Sequence, residues 1–111
     1  ALAALKGKPS VHLSFITDVS PFCDCWGHND AALVADIGFA ASRDPVALDR
    51  ACVDLVNSSP VNKGCMLAGR GLVEGDDKFG AVHPNTDWKA GLTYAESIGL
   101  GTQSYDLVEL D

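Results

Sequence analysis

Ile37-Gly38-Phe39-Ala40-Ala41-Ser42-Arg43-Asp44-Pro45-Val46-Ala47-Leu48-Asp49-Arg50-Ala51-Cys52 is the stretch that decides the fold. Its first part closes a run of strand character that begins at Leu33 and reaches Ala41. The side chains there are small and apolar without interruption, as in a buried parallel strand. Its second part starts a helix. Asp44 suits the N-cap because its carboxylate can accept from the free N–H groups of the first turn. Pro45 suits the first helical position because its missing N–H would have no partner there. Leu48, Ala51, Cys52, Leu55 and Val56 follow the i, i+3, i+4, i+7, i+8 rule and mark the buried stripe of a helix ending near Asn57. Arg50 and Asp54, one helical turn apart, are placed to pair.

Working outward, Val11 to Thr17 is rich in strand formers, and Val11, Leu13 and Phe15 alternate with His12, Ser14 and Ile16. We expect one face buried and the other partly so. Before it, Ala1 to Lys6 reads as the tail of a helix stopped by Gly7-Lys8-Pro9. After the central helix, Ser58 to Val82 is glycine-rich and aperiodic, either a flexible lid or a segment that packs on a missing part of the protein. A second long helix is expected from about Asp87 to Ile98, with Thr86 or Asn85 as its cap and Gly99 beyond its end. Tyr105 to Leu110 reads as a last strand. The resulting expectation is an α/β fold: a small, partly parallel three-stranded sheet covered by helices. Three strands are few for such a sheet. Residues 1–111 are accordingly read as a single α/β domain fragment, the C-terminal part of a longer protein.

Bulk composition narrows the function. The chain has 111 residues, 47% of them hydrophobic and 21% charged, which fits a globular unit with its own core. A formal net charge of −7 with eight scattered basic residues argues against nucleic acid as a partner. No apolar run is long enough to span a bilayer, and no signal-peptide pattern is present. The four cysteines could form a disulfide framework in a secreted protein, but nothing else in the sequence looks secreted, so a reducing, cytoplasmic setting is expected.

The chemistry concentrates between Asp18 and Asp30, a loop of turn residues that holds Cys23-Asp24-Cys25-Trp26 and His28. Cys23, Cys25 and His28 are soft donors suited to zinc or iron. A spacing of one residue between the cysteines departs from the usual metal knuckle, and a full tetrahedral set must borrow from Asp24, Cys65, His83 or outside. Two other readings stay open. The loop can be structural, with Trp26 as a plug, or the thiols can be a redox pair in a strained ring. Asp36, Asp44 and Asp49 are candidate catalytic carboxylates near strand ends, with Cys23 or Cys25 as nucleophile. Cys52 sits on the apolar stripe as a core residue. His83 near Asp87 reads as a base beside a carboxylate or as part of a capped helix start. Gly64 to Gly71 lacks the Lys and Ser/Thr of a phosphate loop, and no nucleophile elbow or zinc-protease motif occurs.

Taken in order, Cys23-Asp24-Cys25-Trp26-Gly27, Asp36-Ile37-Gly38, Ser42 to Ala51, His83-Pro84 with Asp87-Trp88, and Ile98-Gly99-Leu100-Gly101 resemble a prokaryotic family, domain of unknown function 362. Its members are often described as iron–sulfur-centre proteins. The resemblance runs from Val11 to Leu110. It implies a longer parent whose upstream portion carries a ferredoxin-like pair of 4Fe-4S clusters in many relatives. This chain has no Cys-x-x-Cys-x-x-Cys run, so such clusters are expected only upstream. That ferredoxin-like portion is then the expected partner. The sequence thus suggests a C-terminal module of an iron–sulfur-associated redox or metal-binding protein. The alternatives are part of an enzyme active site in a cleft at the strand ends, or a structural docking domain.

Overall fold

A computed structural model describes residues 1–110. The elements in chain order are α1 (Leu2–Leu5), β1 (His12–Ile16), β2 (Gly38–Ser42), α2 (Pro45–Ser58), α3 (Lys78–Val82) and α4 (Trp88–Ser97).

The sheet corrects the expected architecture. Among the described residues it has two strands, not three, and they run antiparallel with Leu13 opposite Ala41 and Phe15 opposite Phe39. The reason lies in the connection. Parallel neighbours need a crossover, usually a helix. Residues 17–37 form no helix and simply return the chain, so an antiparallel ladder follows. The early part of the expected second strand, Leu33 and Val34, is buried but makes only an isolated bridge from Val34 to Val61. Tyr105 to Leu110 forms no strand, and its Leu107, Val108 and Leu110 side chains face solvent.

The faces of β1 are also the reverse of an apolar-in pattern. Ile16 is 5% exposed, whereas Leu13 is 68% and Phe15 70% exposed. The half-buried His12 and Ser14 share the inner face with Ile16 because side chains alternate across a strand. Phe15 and Phe39 meet edge to face on the outer surface, with ring centroids 4.8 Å apart.

The central helix forms as its sequence requires. Asp44 Oδ1 accepts from Val46 N at 2.9 Å and Ala47 N at 3.0 Å, and Pro45 follows at the first turn. The helix buries Val46, Ala47, Leu48, Ala51 and Val56 and packs on the inner face of β1 and β2. Arg50 Nε pairs with Asp54 Oδ2 at 2.9 Å.

The glycine-rich stretch carries core residues of its own. It folds over this chain's own core, where Cys65 and Leu67 join Ile16, Leu33, Val34 and Val56. Asn57, buried near the end of α2, holds its far end. Its side-chain Oδ1 accepts from Lys78 N at 3.0 Å, and its carbonyl accepts from Gly75 N at 2.9 Å and from Lys78 Nζ. A lysine ammonium against the last carbonyls of a helix also opposes the negative end of its dipole. Burial pushes the Lys78 amine down, which Asp76 and Glu74 partly oppose.

Helix α4 is capped by Asp87, which accepts from Lys89 N at 3.0 Å, and not by Thr86 or Asn85. Its end is a Schellman turn: Leu100 N reaches Ala95 O and Gly99 N reaches Glu96 O, both at 3.0 Å, with Gly99 at φ +76°.

Candidate functional site

The Cys-bearing loop is raised on a neck that the ends of β1 and β2 begin. Ile37 N donates to Ile16 O at 2.9 Å, Asp18 N donates to Asp36 Oδ1 at 2.8 Å, and Leu33 N donates to Val19 O at 2.8 Å. Asp18 itself takes a left-handed conformation, φ +49°, which aspartate tolerates better than most residues. Asp36 therefore closes the neck of the loop.

Above the neck, Asn29 orders the loop from within. Its Oδ1 accepts from Phe22 N at 3.1 Å and Asp30 N at 3.0 Å. Its Nδ2 donates to Ser20 Oγ at 3.1 Å and to Phe22 O at 2.9 Å. From outside, His83 Nε2–H donates to the carbonyl of buried Pro21 at 2.7 Å, and the His83 ring meets Phe22 edge to face. Neither role was legible from the sequence, where Asn29 is one turn residue among several and His83 reads as a base, a lent metal donor or part of a capped helix start. The only sequence signal was the high hydrogen-bonding capacity of Asn in a loop with little apolar content.

Held in this way, Cys23 and Cys25 face each other across a turn closed by Trp26 N to Cys23 O at 2.8 Å. Cys25 Sγ–H donates to Cys23 Sγ at 2.9 Å, and both residues are exposed. The hydrogen bonds from the Cys25 thiol and the Cys25 backbone hold the Cys23 thiol below its ordinary value, against smaller opposing effects of burial and the Asp24 charge. Trp26 is 55% exposed and is not a plug. Its ring meets His28 edge to face, at 5.8 Å between centroids.

The other candidates are distributed. Asp44 caps α2 and also accepts from Thr102 N at 2.8 Å. Cys65 is buried, with its thiol directed at Leu33 O. Asp49 alone of the three carboxylates lines a cleft of about 400 Å³ bounded by Ser14, Ile16, Cys52, Trp88 and Leu92. Burial pushes the Cys52 thiol up, opposed by a hydrogen bond with Ser14 and reinforced by the Asp49 charge. A raised thiol is a poor nucleophile at neutral pH. Cys23, Cys25, Asp36 and Asp44 do not line this cleft.

The donor set can be set against the expected metal. Among the described residues, no group of three or more His, Cys, Asp or Glu side chains is arranged to hold a metal ion. Cys23 and Cys25 offer two thiol donors whose sulfurs, 2.9 Å apart, would have to open to about 3.8 Å on a tetrahedral ion, and zinc or iron there would take its other donors from solvent or from another segment. Among the described residues, no helix is long and apolar enough to cross a membrane.

Fold and site together define a small α/β unit that presents a vicinal dithiol on a braced loop. The family model for Domain of unknown function (DUF362) matches residues 1–54, a span containing β1, the dithiol loop, β2 and most of α2. The chain is similar to that family over those residues, just under half of its length. His83-Pro84 and Ile98 to Gly101 lie outside it. No curated protein and no solved structure matches the chain.

Proposed function

We propose that this chain is a thiolate-bearing module of a metal- or iron–sulfur-associated redox protein, in which Cys23 and Cys25 together supply two ligands to zinc or iron. One observation carries the reading: two exposed thiols at 2.9 Å, on a loop whose position is fixed from both sides by Asn29 and His83. Thiolates that already converge lose little freedom on binding a shared ion, which is the advantage of a preorganised site. The Cys25 hydrogen bonds that hold the Cys23 thiol low ease the first of the two deprotonations that metal binding requires. The remaining donors come from solvent in the isolated chain, and from the upstream ferredoxin-like portion of the parent protein in the assembled one.

Elemental analysis tests this on untagged chain purified without oxygen and equilibrated with zinc or iron. About one ion per chain, lost in Cys23→Ser and in Cys25→Ser, is the expected result. A folded chain that retains no ion, or one whose metal content is unchanged by both substitutions, overturns it.

A second reading draws on the cleft that Asp49 and Cys52 line. It is mostly apolar with a carboxylate among its lining residues, which suits an apolar ligand bearing a cationic or hydrogen-bond-donating group. Loss of such binding in Asp49→Asn with unchanged metal content would separate this reading from the first.

A further inference from the structure

The two loop thiols differ from the chain's other cysteines in the features that govern sulfur chemistry. Cys23 and Cys25 are exposed, Cys52 is half-buried, and Cys65 is buried in the core. Cys23 and Cys25 also lie in one four-residue turn. A turn of that kind brings its end Cα atoms within about 7 Å, so the cysteine Cα atoms fall within or near the span that a disulfide bridges. Their sulfurs already stand 2.9 Å apart in hydrogen-bond contact. Closing the remaining gap takes side-chain rotation, while the neck at Ile37 and Ile16 and the Asn29 clasp hold the backbone on either side.

We propose that Cys23 and Cys25 are a redox-active dithiol that exchanges with low-molecular-weight disulfides, switching the loop between a ligating and a non-ligating form. The exchange itself needs no metal, and only its regulatory meaning rests on the metal reading above. Cys23 Sγ, the acceptor of the Cys25 hydrogen bond, attacks one sulfur of R–S–S–R. That disulfide bond breaks, a mixed disulfide forms on Cys23, and the first RS⁻ leaves and takes up the proton released by Cys23. Cys25 Sγ then attacks the Cys23 sulfur, and the second RS⁻ leaves with the proton from Cys25. One disulfide is thereby reduced to two thiols while two protein thiols become one disulfide, a transfer of two electrons and two protons. A disulfide closed over so short a ring and open to solvent is readily reversed by excess thiol.

The test incubates the full, metal-free chain with excess glutathione disulfide under argon and follows it by intact mass and peptide mapping. In the wild type the expected result is loss of two hydrogen atoms, a link mapped to Cys23 and Cys25, and full reversal by reduced glutathione. In Cys25→Ser the reaction stops with one glutathione on Cys23, while Cys65 stays unmodified. Persistence of both thiols, glutathione on each of them without the internal bond, or links only between chains would overturn the proposal. A chain that binds metal but does not exchange sinks this inference and leaves the proposed function standing. A chain that exchanges but binds no metal does the reverse.

Discussion

The carboxylate of Asp44 occupies the space where a side chain at residue 101 would begin. A Cβ built on Gly101 would sit well inside contact distance of Asp44 Oδ1, and the same carboxylate accepts from Thr102 N at 2.8 Å while capping α2. Two distant parts of the chain meet on one side chain. Asp44→Ala is expected to cost about 2 kcal/mol, from the lost cap and the lost Thr102 bond together. Gly101→Ala is expected to cost a similar ~2 kcal/mol by displacing the carboxylate. Because both act on one contact, the double variant should cost well under the sum. Urea denaturation of the four proteins checks this, and strict additivity would contradict it.

The reversed faces of β1 make a second comparison. Ile16→Ala removes a side chain from the core cluster and is expected to cost about 2–5 kcal/mol. Phe15→Ala removes an exposed ring whose main partner is Phe39 and should cost only about 1 kcal/mol. Equal losses in denaturation midpoint would mean that the outer sheet face is covered in solution.

Acid should loosen the segment after α4. Burial raises the Asp54 carboxyl, but hydrogen bonds from Arg50 and from Tyr105 Oη outweigh it and hold it below the ordinary carboxylate range. Bonds from the Gln103 backbone and side chain hold Glu96 low as well. A carboxyl with a lowered folded-state value takes up its proton later than the unfolded chain does. Its stabilisation is present above the unfolded value and is lost as pH falls through the folded one. Stability should fall from about pH 4 downward, and Asp54→Asn should flatten that decline. An unchanged acid limb in the variant, read from urea midpoints, would contradict the assignment.

The bracing of the loop predicts a local effect without a global one. Asn29→Ala removes bonds that are all exposed, so the loss in overall stability should be about 1 kcal/mol. The Phe22, Trp26 and Asp30 amides, hydrogen-bonded in the ordered loop, should nonetheless exchange much faster in the variant, as seen by hydrogen–deuterium exchange. Unchanged exchange there would remove Asn29 as the organiser.

What was readable in the sequence was local. The cap at Asp44, the Pro45 start and the Arg50–Asp54 pair are set within a few residues and stand where expected, as do Leu48, Ala51 and Val56 of the stripe, whereas Cys52 and Leu55 are only half-buried. The direction of the sheet was not local. It depended on whether residues 17–37 crossed over or turned back, and a loop of turn residues permits both. The small residues at Gly38, Ala40 and Ala41 looked like a strand buried on both faces, yet Phe39 between them is 75% exposed. Tyr105 to Leu110 has strand composition but pairs with no strand among the described residues. At the site, Cys23 and Cys25 were legible because thiols so close in sequence can converge in a turn. The clasp by Asn29 and the brace by His83 were not, since both act through backbone carbonyls and amides that leave no residue pattern.

Cobalt(II) titration of the reduced, oxygen-free chain reads directly whether the proposed Cys23–Cys25 site binds metal through both sulfurs. The expected result is a near-ultraviolet sulfur-to-cobalt charge-transfer band that saturates at one ion per chain and carries the intensity of two thiolates. Zinc should displace it, and Cys23→Ser and Cys25→Ser should each abolish or halve it. A band that persists unchanged in both variants would place the metal elsewhere, and a folded wild type with no sulfur-to-cobalt band at saturating cobalt would rule out a thiolate site at Cys23 and Cys25.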